Sequence, residues 1–180
     1  MNDHATRDGD GGGSADLFGT ATTSAVLSPC GHYRYELRRT WAPGPICGWI
    51  MCNPSTADAH TDDPTIRRCV RFARRWGYAG IVVRNVYALR ATDPSALRHH
   101  LVPVGPDNDQ HLHGAAADAV TVCAWGNHAA QRGTQILAML ADAGAQLRYL
   151  ARNAHGVPKH PPYLPGYLTP LAFPGEGRAA

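Results

Sequence analysis

An apolar segment, residues 47–52, ends abruptly at the polar turn Asn53-Pro54-Ser55. A run this short, with prolines on both sides, favours a β-strand over a helix. In an open α/β sheet, ligands bind outside the carboxyl ends of the strands, which is where Asn53, Ser55 and Thr56 would lie. The alternative interpretation is a simple turn, because asparagine, proline and serine are all common in turns.

Composition places few limits on function. The chain has 180 residues, of which 44% are hydrophobic and 17% charged, as is typical of a one-domain globular protein. No apolar run reaches the roughly 18 residues of a membrane helix, and no secretory signal is visible. We therefore expect a cytoplasmic monomer without membrane contact. The cysteines form no C-x-x-C pair, so reduced thiols are expected, with no metal and no cofactor.

The N-terminal segment differs in composition from the rest of the chain. It is rich in glycine, aspartate, serine, threonine and alanine, and its large apolar residues are Leu17 and Phe18. Such a segment cannot bury enough apolar surface to offset the entropy of ordering it. Residues 1–23 are therefore predicted to be a disordered tail, and residues 24–180 a single α/β domain.

The remainder alternates buried strands with amphipathic helices. Strands are predicted at residues 30–37, 47–52, 80–85, 119–126 and 145–150, and helices at 64–76, 94–100, 106–117 and 133–143. The first strand is predicted from its alternation of apolar and polar residues, and residues 38–44 are predicted to be the turn that follows it. The clearest helix has Asp63 as its cap, Pro64 at its first position and Gly77 after its last turn. The alternation predicts a three-layer α/β/α sandwich around a mostly parallel sheet of about four strands.

Three polar residues are expected to meet at one edge of this sheet. Asn53 and Asn85 each end a strand of one βαβ unit, so both amides should project from the same edge. Asparagine both donates and accepts hydrogen bonds, which suits reading the edge of a nucleobase. His160 lies in the proline-rich segment 156–165, whose prolines fix a rigid loop after the last predicted strand. The sequence therefore predicts a pocket that holds all three side chains.

The positive charge is almost entirely arginine. The formal net charge is +3, and Lys159 is the only lysine. Five arginines fall within residues 67–75 of the predicted helix. Arginine binds phosphate with two parallel hydrogen bonds, but a solvated helix face or a G+C-rich genome would produce the same pattern. The charge permits nucleic-acid binding without requiring it.

Three separated motifs together resemble those of the uracil-DNA glycosylase superfamily. Asn53-Pro54-Ser55 resembles the first motif, in which a polar residue after a strand positions the attacking water. The stretch 85–90, Asn-Val-Tyr-Ala-Leu-Arg, is similar to the motif whose asparagine reads the base. The stretch 159–164, Lys-His-Pro-Pro-Tyr-Leu, resembles the motif whose histidine stabilises the departing base.

The resemblance implies a role for each matching residue. Asn53 would orient the water, Asn85 would select the base, and His160 would donate a hydrogen bond to the departing base. Further base contacts would come from the hydroxyl groups of Ser55 and Thr56, and phosphate contacts from Arg84, Arg90 and Lys159. The carboxylates that could assist the water are Asp58, Asp62 and Asp63, and the sequence does not choose between them.

A closer resemblance spans nearly all of the chain after the tail. The stretches 53–58, 63–65, 84–94 and 105–109 are similar to the bacterial and phage family called domain of unknown function sixteen-forty-three. This resemblance implies membership of a family without a settled activity.

The function implied by the motifs is hydrolysis of the N-glycosidic bond of a uracil-like or modified base in DNA or another nucleic acid. The transition state combines a cationic sugar with an anionic base, so the enzyme must position a water and stabilise the leaving base. A base in a duplex would first have to flip out. Two alternatives remain open: a module that binds a nucleotide or modified base without cleaving it, and a hydrolase of free nucleosides or nucleotides.

Overall fold

The computed structural model describes residues 21–55 and 61–174. The first 20 residues of the predicted tail lie outside this part of the chain, and so do Thr56 and Asp58. The strands are β1 (Thr22–Leu27), β2 (Arg34–Thr40), β3 (Ile46–Met51), β4 (Gly80–Asn85), β5 (Val120–Cys123), β6 (Leu147–Tyr149) and β7 (Leu171–Ala172). The α-helices are α1 (Pro64–Arg75), α2 (Asn108–His113) and α3 (Ala130–Asp142), and short 3-10 helices cover Pro94–His99, Gly114–Ala117, Asn127–Ala129 and Pro161–Tyr163.

The described strands form one mixed sheet in the order β1-β2-β4-β3-β5-β6-β7. The central strands β4, β3, β5 and β6 are parallel neighbours. The pairs β1–β2, β2–β4 and β6–β7 are antiparallel, which is half of the pairings in the described sheet. The prediction of a mostly parallel sheet is therefore wrong. Its error lies at the two sides of the sheet, where β1 and β7 were not predicted and β2 runs against β4.

The sheet separates two hydrophobic clusters. Successive side chains of a strand point to opposite faces. Trp49 of β3 packs with Phe72 of α1 in one cluster, whereas Ile50 packs with Leu112 of α2 and Leu140 of α3 in the other. The fold is thus α/β, with apolar helix faces covering the sheet residues in both clusters.

Local sequence determines where α1 begins and ends. The Asp63 carboxylate accepts the backbone N–H of Ile66 at 2.8 Å, which satisfies one of the free donors of the first turn. Pro64 occupies the first helical position, where its missing N–H costs no hydrogen bond. Gly77 adopts φ 83° after the last turn, a conformation that favours glycine. The predicted caps of this helix are confirmed.

A buried charge cluster joins β4 to the neighbouring elements. Arg84 donates to Asp118 at 2.6 Å and to Glu36 at 3.1 Å, and its side chain is 4% exposed. The Asp118 carboxylate occupies the space beside Gly48, where an added methyl group would overlap it. A glycine is therefore needed at position 48 of β3, because any side chain there would displace the Asp118 carboxylate from this ion pair.

Two remaining expectations concern the cysteines and the membrane. All five cysteines are free thiols, with Cys30 exposed and the other four buried. Within the described ranges, every helix is too short or too polar to span a bilayer.

Candidate functional site

A cavity of about 760 Å³ opens at the carboxyl ends of the parallel strands. The chain leaves β3 through α1 to β4 on one side, while β5 pairs with the other side of β3. Such a reversal of strand order leaves a crevice between neighbouring strand ends, where open α/β sheets bind their ligands. Met51 and Trp125, at the ends of β3 and β5, both line the cavity.

Asn53 lines this cavity in a fixed orientation. Its side-chain NH₂ group donates to the carbonyl oxygens of Ala91 at 2.7 Å and Pro54 at 3.1 Å. Since both partners are carbonyl groups, they identify which amide atom is nitrogen. Its Oδ1 accepts no hydrogen bond from the described residues, so this oxygen is available to a water or a ligand.

His160 also lines the cavity, from the loop that follows β6. Its Nδ1 lies 3.3 Å from the carbonyl oxygen of Ala124. A carbonyl oxygen only accepts, so Nδ1 carries the proton and Nε2 of the neutral ring has a free lone pair. Burial lowers the pKa of His160, although the Ala124 hydrogen bond and the Asp63 charge oppose the shift. The geometry therefore favours a neutral ring with a basic Nε2.

Asp63 and Ser55 form the side of the cavity where α1 begins. Ser55 Oγ donates to Asp63 Oδ2 at 2.9 Å, while Oδ1 of the same carboxylate caps α1. Both side chains line the cavity. Because both oxygens of Asp63 accept hydrogen bonds within the protein, its carboxylate holds the wall in place and a role in activating water has no support from these contacts.

Two cationic side chains line the cavity. Lys159 was predicted from the sequence, whereas Arg34 was not. Arg34 is 2% exposed although it lies in a strand whose alternation predicted it to face solvent. The segment that follows β4 packs beside it, since the Arg34 backbone N–H donates to the carbonyl oxygen of Ala88 at 2.9 Å. With Asp63 as the only acidic residue among the described lining residues, the wall favours an anionic ligand.

Asn85 does not line the cavity, although it ends β4 at the expected edge. Its side chain is 1% exposed, and neither amide atom has a hydrogen-bond partner among the described residues. It pairs across the sheet with Met51, which does line the cavity. Asn85 therefore lies beside a lining residue without lining the cavity itself, and its base-reading role stays a prediction.

Other predicted residues are not brought to the cavity. Arg84 is held by its two buried carboxylate partners, so it stabilises the fold and is not placed to bind phosphate. Arg90 is exposed and donates to the Gly31 carbonyl at 3.1 Å. Asp62 is not among the lining residues and pairs with Arg39 at 2.8 Å. Thr56 and Asp58 lie outside the described residues.

Sequence reasoning also missed the amide pair at the cavity rim. Asn153 donates to Oδ1 of Asn127 at 2.6 Å, and both residues line the cavity. This bond joins the loop after β5 to the loop that leads to His160. The signal that could have found it is that each asparagine follows a predicted strand, as Asn53 and Asn85 do.

Comparison with known proteins identifies one family. A family model described as a protein of unknown function (DUF1643) matches residues 34–162. No curated protein and no solved structure matches the chain. The matched segment covers well over half of the chain and includes Arg34, Asn53 and His160. The chain therefore belongs to the DUF1643 family, proteins of unknown function.

Proposed function

We propose that this protein hydrolyses the N-glycosidic bond of a uracil-like or modified nucleobase, with DNA or another nucleic acid as its substrate. The observation that carries the proposal is that Asn53 and His160, from separate loops, line one cavity at the carboxyl edge of the sheet. One presents an amide oxygen and the other a basic ring nitrogen, and these are the groups needed to orient and deprotonate a water.

The proposed fold is a three-layer α/β/α sandwich of the uracil-DNA glycosylase type. Its support is the distribution of helices, because α1 contributes to one hydrophobic cluster while α2 and α3 contribute to the other. The parallel strands β4, β3, β5 and β6 would form the centre of that sandwich.

The cavity has a suitable size and charge for a nucleotide. Its volume of about 760 Å³ is within the range of about 300–1,000 Å³ that small-molecule sites occupy. Arg34 and Lys159 would attract a phosphate group and would also stabilise negative charge on a departing base. Trp125 and Met51 supply apolar surface for the base itself.

In the proposed mechanism, Asn53 Oδ1 accepts a hydrogen bond from the attacking water and orients it toward the sugar carbon. His160 Nε2 then accepts a proton as the water oxygen bonds to that carbon, while the N-glycosidic bond breaks and the base leaves with the bonding electron pair. This role differs from the hydrogen-bond donation that the sequence resemblance implied. The reason is the bond to Ala124, which places the single ring proton on Nδ1 and leaves Nε2 as an acceptor.

The composition of the cavity wall also supports a second candidate, the hydrolysis of free nucleosides or nucleotides. Its walls combine cations with apolar surface in a volume large enough for a whole mononucleotide. A third possibility, binding without cleavage, uses the same contacts and differs only in turnover.

Replacing Asn53 tests the proposal. Asn53→Ala removes the oxygen that orients the water, and we expect base release to fall by about 100-fold, the usual cost of a misplaced reactant. The measurement is mass spectrometry of bases released from a panel of modified oligonucleotides, nucleosides and nucleotides. Gln135→Ala, which removes an exposed amide from α3, should leave the rate unchanged.

A second substitution separates chemistry from folding. Asn53→Asp keeps an acceptor oxygen but loses both N–H donors. Because either substitution removes the hydrogen bonds to Pro54 and Ala91, the free energy of unfolding is measured for both variants, which separates a loss of catalysis from a loss of folding. If the protein releases no base from any substrate, and Asn53→Ala weakens nucleotide binding alone, the protein is a binding module and the proposal is wrong.

A further inference from the structure

Helix α1 concentrates positive charge far beyond the average of the chain. It contains five arginines and no acidic residue, while the whole chain has a formal net charge of only +3. The exposed members are Arg67, Arg71, Arg74 and Arg75. Residues spaced by three or four positions share one face of a helix, so these guanidinium groups form a stripe opposite the buried face of α1.

This stripe begins beside the cavity. Thr65 and Ile66, in the first turn of α1, line the cavity, and Arg67 follows them directly. From Arg67 to Arg75 the helix rises by about 12 Å at 1.5 Å per residue. The stripe therefore extends from the cavity along the surface of the protein.

The segment after His160 runs beside α1 and presents two exposed tyrosines. Arg68 donates to the carbonyl oxygen of Leu164, and Trp76 Nε1 donates to that of Leu168 at 3.0 Å. The segment thus follows α1 from its second turn to its C-terminal end. Tyr163, which lines the cavity, is 87% exposed, and Tyr167 is 69% exposed. Aromatic rings and arginines consequently share one surface that leads to the cavity.

We infer that this surface, the tyrosine–arginine track, binds a single-stranded nucleic acid whose target nucleotide enters the cavity. The inference rests on the proposed function, because it supplies the strand that carries the target base. The arginines pair with backbone phosphates, and the tyrosine rings stack on unpaired bases. Together they select a polymeric substrate over a free nucleotide, which would contact the cavity alone.

The exposed tyrosines favour nucleic acid over an acidic protein segment. Polyglutamate, for example, would satisfy the arginines but has no flat ring to cover Tyr163 and Tyr167. A single strand offers both a phosphate at every nucleotide and an exposed base face. Exposed tyrosines beside arginines, at the mouth of a cavity sized for a nucleotide, match the strand on both counts.

The test is fluorescence anisotropy of the full chain with a labelled single-stranded oligonucleotide of about twelve nucleotides, titrated at several salt concentrations. Arg71 and Arg75 make no hydrogen bond within the described residues, so their joint replacement by alanine should preserve the fold. We expect the double variant to bind at least about tenfold more weakly, and its salt slope to fall by about 1.4, the value for two phosphate contacts. The matched control is Arg98→Ala with Arg152→Ala, which removes equal charge from exposed positions outside α1.

Tyr167 provides the test of stacking. Tyr167→Ala should weaken binding by at least about fivefold, whereas Tyr167→Phe, which keeps the ring, should bind as the original protein does. The inference is overturned if both arginine pairs weaken binding equally, if Tyr167→Ala has no effect, or if a polyglutamate peptide competes as well as the oligonucleotide.

The same variants separate this inference from the proposed function. Arg71, Arg75 and Tyr167 lie outside the cavity lining, so hydrolysis of free nucleosides should not change in their variants. Binding that depends on the track without any base release contradicts the proposed function alone. If the protein releases a base but the track variants bind the oligonucleotide as tightly as the original protein does, this inference alone is contradicted.

Discussion

His160→Ala is expected to lower the rate of base release by about 10²–10⁴-fold, the usual contribution of a positioned general base. The ring nitrogen Nε2 is the group that takes the proton from water, and alanine leaves nothing in its place. Binding of the substrate should change much less, because the cations and the apolar wall remain. The measurement is kcat and KM for the best substrate of the base-release panel, and the matched control is His99→Ala, an exposed histidine outside the cavity.

The pH dependence of the original protein follows from the same residue. Burial lowers the pKa of His160 below its ordinary value of 6.5, and only the neutral ring accepts a proton. The rate should therefore rise with pH, reach half of its maximum below pH 6.5 and stay constant at neutral pH. His160→Gln, which cannot take the proton, should show a low rate without this rise. A rate that instead falls as the ring loses its proton would assign His160 the role of a donor.

Asp118→Ala is expected to reduce the free energy of unfolding by about 3–5 kcal/mol, because it leaves the Arg84 guanidinium buried with only Glu36 as a carboxylate partner. The Asp118 side chain is 5% exposed, so water cannot replace the lost carboxylate without opening the structure. Urea denaturation followed by circular dichroism measures the change.

A second ion pair in the same protein provides the control. Arg132 pairs with Asp109, whose side chain is 52% exposed. Asp109→Ala should therefore cost less than about 1 kcal/mol, since water already solvates the Asp109 carboxylate in the folded state and Arg132 keeps its hydrogen bond to the carbonyl oxygen of Val86. If Asp118→Ala and Asp109→Ala lower the free energy of unfolding equally, burial does not determine how much the Arg84 ion pairs contribute to stability.

The predicted elements that the structure contains are those with a strong local signal. The apolar run of β3, the caps of α1 and the β-branched residues of β4 each specify their structure locally. β1 carries no such signal because its sequence is Thr-Thr-Ser-Ala-Val-Leu and its residues are mostly exposed. It forms because its backbone pairs with β2, and Thr22 and Thr23 therefore lie in a strand rather than in the predicted tail.

The boundaries of β2 also depend on strand pairing and not on local sequence alone. The strand was predicted at residues 30–37 from the alternation of Tyr33, Tyr35 and Leu37, but it covers Arg34–Thr40. Its polar end, which the sequence assigned to a turn, is extended because it pairs with both β1 and β4. Pairing partners distant in sequence therefore set these boundaries.

The candidate site could be predicted in part, because topology alone brings strand ends to a common edge. This argument places Asn53 and His160 correctly at the cavity wall. It fails for Asn85 because Asn108 packs at the end of β4, where its side chain donates to the carbonyl oxygen of Asn85 at 3.0 Å and Asn85 is left 1% exposed. Arg34 was missed because the burial of an arginine depends on the segments that pack against it and not on its own sequence.

Hydrolysis in water enriched in oxygen-18 tests most directly whether water oriented by Asn53 and His160 attacks the sugar. At early times the sugar product is reduced with borohydride, before its anomeric oxygen exchanges with solvent, and the reduced sugar and the released base are both analysed by mass spectrometry. We expect one heavy oxygen at the sugar carbon that carried the base, none in the base, and about 10²–10⁴-fold slower formation of both products in His160→Ala. A heavy oxygen in the base, or equal amounts of product from the original protein and His160→Ala, would contradict the proposed site and its chemistry.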